Sequence, residues 1–218
     1  MAPDSHNPLQ TLTEIRSLME RSSRFISLSG LSGVGAGVFA LIGAAAAFAY
    51  LGFTPFEGGN VIERGLVGPY KWGLAPRTFF LLDALLVLTL ALASGIYFTT
   101  RNAKAKGQRI FDPLTYRLLV NLAIPLVAGA VFCLALLRYN LAPLVAPTTL
   151  VFYGLSLLNG SKYTFNDIRY LGLSEIVLGL IGLFVPGYGL ELWAIGFGVL
   201  HIVYGLVMYN RYEKRAAA

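Results

Sequence analysis

Residues 170–209 read YLGLSEIVLGLIGLFVPGYGLELWAIGFGVLHIVYGLVMY. Two apolar runs, about 170–185 and 190–209, flank Pro186, Gly187, Tyr188 and Gly189. Pro and Gly together mark a tight reversal. A membrane-spanning helix needs about 20 mostly apolar residues. The stretch therefore predicts two spans folded as an antiparallel helical hairpin.

The same criterion, applied back along the chain, finds four more spans at about 25–51, 78–99, 118–137 and the shorter 141–158. Composition agrees, since 56% of the 218 residues are hydrophobic and 13% charged, against about 25% charged in a soluble domain. This excludes most soluble folds, a disordered chain and, with one cysteine, a disulfide scaffold. The expected fold class is all-α: a polytopic transmembrane helical bundle of six spans with an N-terminal amphipathic cytoplasmic helix. Cys133, inside the run V-F-C-L-A-L-L, reads as a small buried side chain.

Charge sets the expected orientation. Six spans put both termini on one side. Arg64, Lys71, Arg77 and Arg138 fall on the other side, and the remaining thirteen of the 17 Lys and Arg share the side of the termini. Basic loops stay cytoplasmic, so an inner-membrane protein with cytoplasmic termini is expected. The net charge of +6 has the same origin, and direct nucleic-acid binding is not expected. The first span is longer and starts later than a signal peptide's apolar region, so it is expected to be retained.

Ahead of it, Asn7, Pro8 and Gln10 form a helix start, with Thr11 and Glu14 a second one. Leu9, Leu12, Ile15, Leu18 and Met19 then make an apolar stripe, with Arg16 and Glu20 on the polar side. Such a helix lies in the membrane interface, docks on the protein's own loops, or binds a cytoplasmic protein. Gly33 and Gly37 form a G-x-x-x-G pair within a small-residue face, and Ala194 and Gly198 repeat the device. In lipid such faces let helix backbones touch, within one chain or between copies. The 52–77 loop, with Tyr70 and Trp72, suits the membrane boundary as a cap or re-entrant segment. Pro125, Pro143 and Pro147 lie in or beside spans, where neighbouring polar groups re-satisfy the freed carbonyl. Near Thr148 and Thr149, Pro147 predicts a kink.

Ionisable residues within spans are functional candidates by default. Asp83 lies about 8 Å inside the second span from the non-cytoplasmic side, and His201 about 15 Å from the cytoplasmic side. Glu175 shares His201's leaflet, on the helix paired with it by the tight turn. Asn121, Tyr97 and Tyr204 reach depths that can join them. Three readings are open: a hydrogen-bonded pair that fixes packing, a proton-linked or ligand-binding site, and exposure to a polar cavity. Glu191 and Arg138, at span ends, read as interfacial. Asn166 or Asp167 is placed to cap the fifth span.

Motifs add little. Gly30-Leu31-Ser32-Gly33 matches the short G-x-S-G of rhomboid proteases, with His201 as a nominal base, but Ser32 is on the first span near its edge and no other rhomboid feature accompanies it. His6 is in the tail, so a bis-histidine haem is excluded, and zinc or di-iron ligand sets are missing. No cofactor or metal is expected. The sequon Asn159-Gly160-Ser161 falls on the cytoplasmic side.

Three stretches carry a resemblance: RSLMERSSRFISLSGLSG at 16–33, NGSKYTFNDIRYLGLSEIVLGLIGLFVPGYG at 159–189 and LWAIGFGVLHIVYG at 192–205. Together they cover about a third of the chain, and they resemble a family of uncharacterised bacterial six-span membrane proteins. The resemblance implies a bacterial inner membrane and no known activity. It places Asn166, Asp167, Arg169, Glu175 and His201 in its most distinctive part. The expected function is that of a non-enzymatic sensor or scaffold acting through a basic cytoplasmic face. Its expected contacts are membrane lipids, a cytoplasmic protein or a second copy. The alternatives are a small transporter or channel using Glu175 and His201, and a lipid-modifying enzyme.

Overall fold

The structure, a computed structural model, describes residues 28–52, 54–56, 70–107, 112–185 and 187–214. The amphipathic segment expected at 1–24 and most of the 52–77 loop lie outside them. The described residues are helical and contain no strand beyond an isolated bridge between Lys71 and Leu74. Six long helices follow in order: α1 Gly30–Leu51, α2 Pro76–Ala105, α3 Pro113–Arg138, α4 Val145–Gly160, α5 Asp167–Phe184 and α6 Gly189–Glu213. Five of these segments are long and apolar enough to cross a membrane. The exception is α5, which holds Asp167, Arg169 and Glu175 in 18 residues.

Local chemistry explains the helix ends. α3 begins where Asp112 accepts the Thr115 amide at 2.6 Å, with Pro113 in the first turn. That backbone hydrogen bond, with a second from the Thr115 hydroxyl, holds the Asp112 carboxyl below the usual carboxylate range. α1 has no cap of its own. Glu213, at the far end of α6, accepts the Gly30 amide at 2.6 Å and the Ser29 hydroxyl at 3.1 Å. α1 stops at Gly52, whose φ of 75° suits a residue without Cβ. A 3₁₀ turn, Ala142–Leu144, leads into α4. Pro147 falls in the first turn of α4, where no intrahelical hydrogen bond is lost. Asn166 makes no side-chain cap on α5.

Every neighbouring pair is antiparallel, in the spatial order α2, α1, α6, α5, α4, α3. α1 meets α2 through Gly35 against Ser94 and Gly43 against Val87. At its other end Tyr50 stacks on Phe79 at 4.0 Å and donates to the Leu74 carbonyl. α1 meets α6 at Gly33 and Gly37: a Cβ on Gly37 would lie 2.6 Å from the Gly198 carbonyl. Ala194 is half-buried one turn above Gly198. α4 and α5 touch backbone to backbone through Gly154, Gly172 and Gly179. The predicted small-residue contacts on α1 and α6 are thus intramolecular, while the glycine seam of α4 and α5 escaped the sequence reading.

α3 packs on α4 around Pro125. Its ring removes the amide that would serve the Asn121 carbonyl. Asn159 of α4 donates to that carbonyl at 3.0 Å, and the buried Ser156 hydroxyl serves the next one, Leu122, at 2.7 Å. α2 and α3 form the flanks, with exposed rows such as Leu81, Leu85, Leu88 and Leu92 on α2 and Ile124, Val127, Val131 and Leu134 on α3. An apolar surface of this extent is stable against hydrocarbon, not water.

The helix seams separate two kinds of glycine. A Cβ on Gly154 would sit 2.5 Å from the Gly172 carbonyl, and one on Gly95 would meet nothing within 4 Å. Gly154→Ala is expected to destabilise by about 1–3 kcal/mol, since backbone must move. Gly95→Ala is expected to be neutral or to stabilise by up to about 1 kcal/mol. Thermal unfolding of both variants in detergent checks the contrast.

Candidate functional site

On α5 the buried residues Ile168, Leu171, Gly172, Glu175, Gly179 and Gly182 recur every three or four positions. Position 175 lies on this seam, so its carboxyl is carried into the bundle and has no exposed surface. On α6, His201 lies on the corresponding buried face with Gly198, Gly205 and Met208. The antiparallel α5–α6 pairing then sets the Glu175 Oε1 to His201 Nδ1 distance at 3.3 Å.

Two further groups complete the cluster. The Gly196 carbonyl, five residues before His201 on α6, is 3.0 Å from Nδ1. The Tyr153 hydroxyl of α4 is 2.8 Å from Nε2. A carbonyl only accepts, so Nδ1 carries a proton and donates to it. The segment Ala194–Leu200 has the wider π-helical turn, a form that recurs at functional sites. Gly196 has to be glycine, because a Cβ there would collide with Glu175 Oε2 and Leu150. The imidazole stacks on Phe197 at 5.8 Å, and Phe197 touches both Tyr153 and Trp193.

The carboxyl of Glu175 has no hydrogen-bond partner of good geometry on either oxygen among the described residues. The imidazole of His201 lies 3.3 Å from one of its oxygens, and Gly196 and Leu150 close around it. A buried, half-satisfied polar group of this kind is costly.

The other candidates go elsewhere. Tyr204 packs in an apolar cluster with Leu157, Ile168, Leu171 and Met208. Asn121 joins Asn159 at the α3–α4 seam and donates to the Arg117 carbonyl. Asp83 lies against Gly43, with both carboxylate oxygens 3.5 Å from where a Cβ would stand. Tyr97 is exposed on α2. Glu191, expected at the interface, is buried and accepts the Phe56 amide at 3.4 Å, while Arg138 is exposed. Ser32 donates to the Ser29 carbonyl of its own turn, so no serine–histidine pair forms. Among the described residues, no three His, Cys, Asp or Glu side chains gather as a metal-binding group.

Tyr153 was missed in the sequence. Its signal was a lone tyrosine inside an otherwise uncharged span, beside Gly154. A second polar group lies at the basic end of α5 and α6. There Asp167 accepts from Arg211 at 3.2 Å and from the Tyr212 hydroxyl at 2.6 Å, while Glu213 caps α1. Comparison with protein-family models, curated proteins and solved structures finds no match.

Breaking one side of the buried pair strands the other. His201→Leu is expected to destabilise by about 3 kcal/mol or more, and adding Glu175→Met to recover most of that loss. A double-mutant cycle on unfolding in detergent measures the coupling.

Proposed function

We propose that this chain is a six-span protein of a bacterial inner membrane, with both termini cytoplasmic, that acts as a non-enzymatic sensor. The six-span count rests on α5 lying alongside both α4 and α6 from end to end. Two of its three charges, Asp167 and Arg169, fall in its first turn. The third, Glu175, is paired inside the bundle. The unequal distribution of Lys and Arg supports the orientation, and the resemblance to six-span bacterial proteins supports the compartment.

One observation carries the sensing role. Glu175, His201 and Tyr153 join α5, α6 and α4 in the core, and the same α5 and α6 hold the Asp167, Arg211, Tyr212 and Glu213 contacts at the basic end. A change in the core is thereby linked to the surface offered to a cytoplasmic protein. The exposed flanks of α2 and α3 suit lipid or a second copy. Transport through Glu175 and His201 is the second reading, favoured by the unpartnered carboxyl. Against it, Gly196 and Leu150 fit closely around that carboxyl. A lipid-modifying role is disfavoured, because both groups are buried inside the bundle.

Topology is checked with single cysteines in a Cys133→Ala background. Lys162→Cys is expected to react with an impermeant thiol reagent only from the cytoplasmic side, and Tyr188→Cys only from the opposite side. Labelling of both from one side overturns six spans.

Photo-cross-linkers at Lys162 and Lys214 in native membranes are expected to trap a discrete protein. Its yield is expected to change about fivefold in Glu175→Gln, in the range of ordinary allosteric coupling. A yield indifferent to Glu175→Gln, together with solute flux in reconstituted vesicles that this substitution abolishes, overturns sensing in favour of transport.

A further inference from the structure

The sensor reading leaves its input open, and the groups around His201 suggest one. We propose that Glu175, His201 and Tyr153 form a single-proton binding site whose occupancy reverses the hydrogen bond to Tyr153. The use of the proton rests on the sensor reading. The site itself rests on geometry.

Nδ1 faces the Gly196 carbonyl at 3.0 Å and Glu175 Oε1 at 3.3 Å. Both are acceptors when the carboxylate is ionised, so Nδ1 keeps its hydrogen in either state of the ring. Nε2 is the atom free to change. Its neighbour at 2.8 Å, the Tyr153 hydroxyl, both donates and accepts. With the ring neutral, Tyr153 donates to Nε2. With the ring protonated, Nε2 donates to Tyr153, and the tyrosine's own hydrogen must turn to another acceptor.

The balance is simple. One hydronium ion gives its proton to Nε2: one O–H bond breaks, one N–H bond forms, a water molecule leaves, and the formal charge of the trio goes from −1 to 0. Glu175 Oε1, 3.3 Å from Nδ1, supplies the opposing charge. In the proposed site the proton reaches Nε2 by way of the Tyr153 hydroxyl, the polar group beside it at 2.8 Å. Because Nδ1 is bonded to a carbonyl within the π-helical turn of its own helix, movement of the ring is felt by α6.

Among the described residues, no other charge faces the pair closely. α1 and α4 contain no charged residue. On α6, Glu191 and Arg211 are each ten residues from His201, about 15 Å along the axis. On α5, Asp167 and Arg169 are eight and six residues from Glu175, about 12 and 9 Å away. His201 and Glu175 therefore answer to each other and to Tyr153.

The chain has two histidines, His6 and His201. In full-length His6→Ala protein, labelled at histidine nitrogen and placed in lipid nanodiscs, the ring signals belong to His201 alone. Between about pH 5 and 8, Nε2 is expected to pass from an unprotonated to a protonated nitrogen signal while Nδ1 stays protonated. Glu175→Gln is expected to abolish that passage or to displace its midpoint by at least about one pH unit. Tyr153→Phe, which keeps the ring and removes the hydroxyl, is expected to slow exchange at Nε2 and serves if Glu175→Gln fails to fold. An Nε2 signal that stays constant over this range, or one that both substitutions leave unaltered, overturns the site. Titration of His201 with pH-independent cross-linking upholds the site and overturns the sensor reading. A constant His201 with Glu175-dependent cross-linking does the reverse.

Discussion

In hydrocarbon a leucine gains nothing by leaving lipid for a protein neighbour, so a bundle of apolar helices is held by dispersion at close approach and by hydrogen bonds between helices. Close approach needs missing side chains. Gly33 and Gly37 bring α1 onto α6, and Gly154, Gly172 and Gly179 bring α4 onto α5. Both pairings bear on α6 and α5, and it is their separation that sets Glu175 against His201. A methyl group at any of these seam positions would push apart the helices that position the polar cluster. Gly196 applies the same constraint inside the cluster, since the carboxyl occupies the volume its Cβ would need.

The second constraint is that backbone groups in lipid have to be satisfied within the protein. Pro125 shows how this chain meets it. The ring leaves the Asn121 carbonyl without an amide, and Asn159 and Ser156 of α4 reach across to that turn. The polar groups recruited there thereby fasten α3 to the bundle. At the basic end Glu213 does the same for the uncapped start of α1. In both cases a side chain from one helix completes the backbone of another. Glu175 differs, because it completes nothing and has no well-formed partner.

The flanks divide from the centre. α2 and α3 turn long apolar rows outward, and each is fastened mainly to one neighbour, α1 or α4. α4, α5 and α6 surround the cluster and contact one another along their lengths. The second polar group joins the start of α5 to the end of α6.

Much of this was legible in the sequence, because hydropathy is a sum along the chain and needs no knowledge of neighbours. The five helices apolar enough to span, the Pro-Gly reversal at 186–189 and the small-residue pairs at Gly33, Gly37 and Gly198 are properties of short windows. Facing is different. A helix surrounded by lipid and protein is apolar on all sides, so the periodicity that marks the buried face of a soluble helix is erased. Rotation about the axis and the order of helices were therefore settled only by packing. They sent Asn121 to Asn159, Asp83 to Gly43 and Glu191 inward, and they brought Tyr153, unremarked in the sequence, to His201. Depth in the membrane can be read from residue number, but which residues meet at that depth depends on which backbones fit against each other.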